Sequence, residues 1–390
     1  MLLIVLASIN FTNIMDFMIM MPLQEFLVPV FHVTPREFSF LVSAYAFSAF
    51  LSSLTASFVV DRFDRKNSLL FAYTGFVIGT LACGFASSYM MLISARIFTG
   101  VFGGLIGAQV LSIVGDTFPY EKRGRAMGIL MSAFSLAAVA GVPFGLYIAA
   151  HINWQVPFIG IGILGIIIMP FLIGVVPKMK SHIQKSEDKK SFEIYKSIWH
   201  SRNQQLGLLM MFTLILSHFL TIPFIAPFLE KNIGFAKNQI ALMYSIGGAV
   251  SLLSAPFIGK LSDKIGKHKV FTIFLLLSMI PVFLLTNMPK IPYYYVLGVT
   301  AMFFLFAGGR MVPAQAIITS IVPPHLRGGF MNINSSTIQL GTGLAAFIAG
   351  SIVTKNNLDE LVHYPVVGYC SMTISLICLI VMRNVKTTGV

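Results

Sequence analysis

The chain has 390 residues, of which 56% are hydrophobic and only 11% are charged. A soluble domain carries about 25% charged residues, so this composition cannot solvate a globular surface and excludes a soluble fold. The net charge of +13 would suit a nucleic-acid partner if it formed one basic face. It is instead divided among short loops between long apolar runs, which excludes that partner and leaves the lipid bilayer as the surroundings.

Taken in chain order, the first apolar run is Leu2–Leu23, with Asn10, Asn13 and Asp16 inside it. It has no basic stretch ahead of it and no small-residue cleavage pattern, so it reads as a retained helix. Phe38–Val60 follows, then Ser68–Ala86, Met90–Val114 with Arg96 and Gln109, Ala126–Ala149, and Trp154–Val176. The longest polar stretch, Pro177–Asn203, comes next and reads as a solvated linker drawn by its lysines toward anionic lipid. Six further runs follow it: Gln204–Phe228 with His218, Asn238–Gly259, Val270–Thr286, Tyr293–Ile318 with Arg310 and Gln315, Gly329–Thr354 with Gln339, and Tyr364–Met382. Each run is near the roughly 17–25 residues that a helix needs to cross the hydrocarbon. The predicted fold is therefore an all-α membrane protein with an N-terminal six-helix bundle over 1–176, a linker over 177–203 and a C-terminal bundle over 204–390.

With both termini inside, about 20 Lys and Arg residues fall on the cytoplasmic side and about 5 outside, as the positive-inside rule requires. The loops are short, and a bacterial inner membrane is the expected setting. Cys83, Cys370 and Cys378 fall within spans and show neither disulfide nor metal spacing. No metal or cofactor is expected.

The two halves repeat each other. Ser57-x-x-x-Asp61-Arg62-Phe63-Asp64-Arg65-Lys66 after the second run matches Gly259-x-x-x-Asp263-Lys264-Ile265-Gly266-Lys267-His268 after the eighth, without a gap, at an offset of about 202 positions. Pro119, Arg123, Gly124 and Met127 match Pro323, Arg327, Gly328 and Met331 at nearly the same offset. Duplication of a six-helix unit accounts for both. The repeated stretch resembles the Gly-x-x-x-Asp-Arg-x-Gly-Arg-Arg/Lys signature of the major facilitator superfamily, departing from it at Ser57 and Asp64, where the signature has glycine. The resemblance covers essentially the whole chain and implies two pseudo-symmetric bundles of six helices, 12 transmembrane helices in all. Three further features look like its twelve-span drug:proton antiporter branch: Asp16 through Pro22 in the first helix, Arg96 with Gly100, Gly103 and Gly104 in the fourth, and Gly141-Val142-Pro143-Phe144-Gly145 in the fifth. The last is similar to that branch's Gly-Pro-x-x-Gly-Gly motif, with one residue inserted and one glycine missing.

Three ionised side chains lie within the runs: Asp16, Arg96 and Arg310. Each costs at least about 2.5–3.5 kcal/mol at membrane depth unless paired or wetted. Asp16 and Arg96 lie at matching depths of roughly 10–12 Å from one side, so they are expected to share a site in which Asp16 alternates between a carboxylate paired with Arg96 and a protonated acid. A permanent ion pair fastening two helices is the plainer alternative. Asn13 lies one turn from Asp16 on the same face and extends the polar path. Arg310 has no acid in any C-terminal span, so it is read either as a contact for an anionic substrate group or as a snorkelling side chain bonded to backbone carbonyls near Gly308 and Gly309. His218 is a candidate proton carrier or a neutral packing histidine; Gln109, Gln315 and Gln339 are candidate uncharged substrate contacts.

The fifth run carries Ala133, Ala137, Gly141, Gly145 and Ala149 every four residues, a small-residue stripe suited to close backbone approach. The family resemblance puts that helix between the two bundles, where the stripe would let a cavity close. The resemblance also implies a gating latch, with Asp61 near the start of the eleventh helix and Arg62 and Arg65 pairing with Asp116 in the outward-facing state. Asp263, Lys264 and Lys267 form its second copy.

The expected activity is transport rather than catalysis: proton-coupled efflux (antiport) of small amphipathic molecules or drugs by alternating access. The partners are then the small-molecule substrate and protons, and a monomer suffices because one such bundle is mechanically complete. A permease for a sugar, siderophore or organic acid is the alternative within transport. A membrane sensor is disfavoured because no stretch is long enough for an output domain, and an intramembrane enzyme because no nucleophile–base or metal cluster occurs on the spans.

Overall fold

The computed structural model describes residues 1–59, 63–118, 129–130, 132–179, 189–323 and 326–386. The first half consists of α1 (Leu2–Met20), α2 (Gln24–Phe31), α3 (Pro35–Val59), α4 (Arg65–Gly84), α5 (Tyr89–Thr117), α6 (Ser132–His151) and α7 (Val156–Val175). A linker helix α8 (Lys189–His200) leads to α9 (Arg202–Phe228), α10 (Lys237–Ile265), α11 (Lys267–Thr286), α12 (Tyr293–Ser320), α13 (Arg327–Ile352) and α14 (Tyr364–Arg383). Among the described residues, 11 helices are long and apolar enough to cross a membrane. The remaining expected span, α13, has the length at 26 residues, but Asn332, Asn334, Ser335, Ser336 and Gln339 dilute its apolar content.

The helices begin where the sequence supplies acceptors for their first amides. Ser88 Oγ accepts from the Met91 amide at the start of α5, and Ser201 Oγ from the Gln204 amide at the start of α9. Asp64, which stands where the repeated signature has glycine, caps α4. Its Oδ1 accepts from the amides of Lys66 at 2.9 Å and Asn67 at 3.3 Å, and its Oδ2 accepts from the Met179 amide at 3.1 Å. The departure from glycine thus ties the loop between α3 and α4 to the first residues of the linker.

Four expectations need correction. The first run stops at Met20, because Pro22 gives no amide to continue the ladder, and α2 is a separate short helix beyond the turn. The linker is not wholly solvated. α8 lays Ile194, 5% exposed, into a core that includes Met210, Met211 and Phe330, with Tyr195 and Ile198 against it. Between α13 and α14 the chain forms a hairpin, β1 (Thr354–Lys355) pairing antiparallel with β2 (Leu361–Val362). Asn232, just past α9, clamps it: Nδ2 donates to the Leu361 carbonyl and Oδ1 accepts from the Leu361 amide, both at 2.9 Å.

The fourth correction concerns the small-residue stripe of α6. A Cβ built on Gly141 would lie 3.2 Å from Met15 Sδ, and one on Gly145 would lie 2.7 Å from Ile19 Cδ1. Both glycines therefore face α1 in their own half. Ala137–Gly141 is a π turn, with the Val142 amide bonded to the Ala137 carbonyl, so a four-residue spacing does not trace one straight face through it. The other half is met by the neighbouring face: Ala138 and Val139 press on α10 where Gly248 has no side chain. Pro143 opens the α-helical turn just after, where its missing amide costs least.

The buried residues show how the halves meet. At the end remote from the linker, one apolar core takes in Ile19, Leu23, Leu41 and Leu146 from the first half and Leu220, Phe224, Met243, Ala345 and Ala349 from the second. At the linker end each half keeps its own core, around Leu6, Phe76 and Ile113 in the first and around Leu214, Phe271 and Ile317 in the second. The seam between α3 and α13 runs from Gly350 on Ser39, through Gly343 on Ala46 and Phe47, to a Ser53–Ser336 hydroxyl hydrogen bond of 2.9 Å. The fold is thus sealed at the remote end by apolar surface common to both halves.

Candidate functional site

Asp16 lies about one turn before the end of α1 and Arg96 in the second turn of α5. Arg96 Nη1 donates to Asp16 Oδ2 at 2.7 Å, with both side chains fully buried. Thr80 Oγ1 of α4 donates to Asp16 Oδ1 at 3.1 Å. The guanidinium carbon lies 4.4 Å from the centre of the Tyr45 ring on α3, a cation–π distance. Asn13 binds the same cluster: its Nδ2 donates to the Gly103 carbonyl at 3.0 Å, and its Oδ1 accepts from Tyr45 Oη at 3.4 Å. Gly100, Gly103 and Gly104 explain the geometry, since a Cβ on any of them would collide with Tyr45, Ser48 or Ala49 of α3. These glycines let α3 lie directly on α5 and place Tyr45 beneath the guanidinium.

The ion pair is one-armed. Arg96 Nε and Nη2 are buried and have no hydrogen-bond partner among the described residues. A guanidinium offers five donors in a planar fork, and here the carboxylate engages one nitrogen of it. Unspent donors at this depth are costly and leave capacity for another acceptor.

Arg310, on α12, is 2% exposed and does not snorkel. Nη1 lies 3.1 Å from Ser278 Oγ on α11, and Nη2 lies 3.1 Å from His218 Nδ1 on α9. His218 stacks on Phe303 at 5.6 Å and meets Phe219 edge-on at 5.4 Å. Phe219 touches Phe17 of the first half at 6.0 Å, and Phe17 touches Tyr45 at 5.4 Å. A run of rings therefore connects the two buried arginines across the halves.

The other expected residues are more scattered. Gln109 is buried on α5 with its Oε1 unpartnered, whereas Gln315 and Gln339 are partly accessible on α12 and α13. Asp61 and Arg62 lie outside the described residues, as does the side chain of Asp116, so the expected pairing with Arg65 lies outside them too. Arg65 itself is 8% exposed at the start of α4. Asp263 and Lys264 are exposed, and Lys267 starts α11 after Gly266, whose φ is +98°. Tyr45, Thr80 and Ser278 belong to the two clusters but were not singled out in the sequence. The glycine run of α5 signals a close helix and so points to Tyr45's neighbourhood; Thr80 and Ser278 carry no such signal.

The model of the Major Facilitator Superfamily matches residues 6–219 and again 207–388. The chain is 24% identical over 387 residues to "Uncharacterized MFS-type transporter YceJ" of Bacillus subtilis, covering 98% of this chain and 95% of that one. It is 24% identical over 370 residues to "Multidrug resistance protein 2" of the same organism, covering 93% and 90%. Among solved structures, a D-xylose-proton symporter shares the fold with a TM-score of 0.81 at 15% identity, over 99% of both chains. A bacterial homolog of the human lysosomal transporter Spinster, inward-facing and occupied, does so with a TM-score of 0.73 at 16% identity, over 98% of this chain and 96% of that one. With the family matched in each half, and a helical fold that carries its ionised residues at membrane depth, this chain is a multi-pass membrane transporter belonging to the Major Facilitator Superfamily.

Proposed function

We propose that the protein is a proton-coupled exporter of small amphipathic molecules, with Asp16 as the proton-carrying group. The observation that carries this reading is the sealed, one-armed contact between Asp16 and Arg96. As a carboxylate, Asp16 accepts from Arg96 Nη1 and Thr80 Oγ1. Once protonated it loses its charge, and its contact with Arg96 is reduced from an ion pair to a hydrogen bond. Exchange follows if substrate and proton compete, the substrate binding to the carboxylate form of Asp16 and proton uptake there releasing it. The multidrug-named relative, at 24% identity, supports the export direction. The basic linker supports a cytoplasmic placement of both termini in a bacterial inner membrane.

In the same reading, the seal common to both halves closes the outer side, and alternating access proceeds by breaking it while the linker-end cores come together. The loop between α3 and α4, with its copy between α10 and α11, is the latch for that second arrangement. A permease for one polar metabolite is the second reading, favoured by the unpartnered buried carbonyl oxygens of Gln109 and Asn334.

Proteoliposomes with an internal pH dye test the proposal. A pH gradient is imposed and lipophilic drugs, sugars and organic acids are added in turn. Proton movement driven by a compound in the native protein and absent in Asp16→Asn supports exchange. Equilibration of labelled solute without proton movement, or an Asp16→Asn variant that couples as well as native, removes Asp16 from the mechanism.

A further inference from the structure

We propose that the transported molecule is an amphipathic organic anion, its acidic group held by Arg310 and His218 and its apolar body laid on Phe17 and Phe219. The proposal rests on the transport reading above, but not on proton coupling.

Arg310 is a buried cation without a counter-charge. Its two contacts, Ser278 Oγ and His218 Nδ1, are both uncharged acceptors, and its Nε is buried without a partner. No carboxylate pairs with it among the described residues. Glu230, Asp263, Asp359 and Glu360, the acids of the second half, all lie at helix ends or in loops. Arg96 shows the contrast, since the fold supplies it with Asp16. A guanidinium at membrane depth needs compensation, and at Arg310 a ligand can bring it.

The chemistry of the contact fixes what His218 can add. Guanidinium nitrogens only donate, so Nδ1 must accept, and the imidazole is neutral with its proton on Nε2. That N–H is a second donor, on the side of the ring turned away from Arg310. The ring is only partly buried, like Phe219 and Phe17 next to it, whereas Arg310 is enclosed behind it. The accessible surface here is therefore aromatic, backed by donors and lacking any anion. A single carboxylate, sulfonate or phenolate carried on an apolar skeleton meets both requirements, since an acid oxygen takes the charge-assisted bonds. A cationic amphiphile would meet a bare guanidinium.

The test is equilibrium binding by calorimetry to purified protein, without a gradient. The probes are 2-naphthylacetate, 2-naphthylacetamide and 2-naphthylethylamine, which share one ring system and differ in charge. The acetate is expected to bind at least tenfold tighter than the amide, and the amine more weakly than either. Arg310→Gln, verified as monodisperse, abolishes the acetate's advantage. Ser278→Ala removes a competing acceptor and no charge; it frees Arg310 Nη1 and leaves the acetate's advantage over the amide intact or larger. Tighter binding of the amine, equal binding of the three, binding of none, or an advantage that survives in Arg310→Gln or is lost in Ser278→Ala overturns the proposal. A protein that prefers the acetate but moves no protons upholds this inference while overturning the coupling. Proton movement driven by amines alone does the reverse.

Discussion

Arg310 Nη2 and His218 Nδ1 face each other at 3.1 Å, nitrogen to nitrogen, an arrangement that admits only a neutral histidine with Nδ1 as acceptor. His218→Gln keeps an acceptor on a side chain of similar reach, and its melting temperature in detergent stays close to native. His218→Leu removes the acceptor and leaves a second buried donor of Arg310 unpaired, at a cost of about 1–3 kcal/mol. Equal melting temperatures for the two variants would show that the contact contributes nothing.

The contact between Asp16 and Arg96 makes a prediction by the same logic with both partners charged. Removing one partner alone leaves an isolated buried charge, so Asp16→Ala or Arg96→Ala costs about 3–5 kcal/mol. Asp16→Asn with Arg96→Gln removes both charges and costs clearly less than the Asp16→Asn and Arg96→Gln single variants combined. A thermal-denaturation cycle measures the difference. Additive single effects would mean that the pair does not act as a unit.

Asp64 is expected to matter at two places at once. Asp64→Ala removes the acceptor for the Lys66 and Asn67 amides and for the Met179 amide, for a loss of about 1 kcal/mol from the cap alone. Because Met179 is among the first residues of the linker, limited proteolysis should cut the linker faster in the variant than in native protein. An unchanged cleavage rate would show that the contact does not hold the linker.

Outside the membrane, Asp359 carries a pH dependence. The ammonium groups of Lys355 and Lys231, hydrogen-bonded to it, hold its carboxyl below the ordinary carboxylate value. A lowered folded-state value stabilises the hairpin at neutral pH, and that stabilisation disappears as pH falls below about 4. The group is half exposed, so Asp359→Asn costs under about 1 kcal/mol at pH 7. The difference in melting temperature between variant and native protein should shrink as the pH is lowered through that range; a constant difference would rule out the ion pairs as its source.

The fold was largely legible because apolar runs of bilayer length permit little besides a helix, and because two copies of a charged loop betray a duplicated unit. Asp16, Arg96 and Arg310 stood out for one physical reason, the cost of ionisation at depth. Their neighbours were a different matter. Tyr45 is one aromatic among many in an apolar chain, and Ser278 is one of three hydroxyl residues on its helix. His218 and Arg310 were each singled out, but 92 positions separate them in sequence, and only the packing of α9 against α12 joins them. The linker helix and the Asn232-clamped hairpin were missed because each is short and draws its stability from tertiary contacts. The small residues of α6 are legible in the sequence, but the neighbour that Gly141 and Gly145 face is not.

The direction those glycines take is set by the π turn at Ala137–Gly141. A residue added to an ordinary α-helix turns everything beyond it by about 100°. A π turn takes up the extra residue locally, so Gly145 points where it would in a helix one residue shorter. The inserted Val142 is consequently absorbed at the one place in α6 where length can change without rotating the rest. Deleting one residue between Ala137 and Val142 should relax the turn to regular α-helix and preserve both packing faces. The same deletion at Ile148 would swing the end of the helix away from its partners, so tolerance to deletion should change abruptly within about two turns.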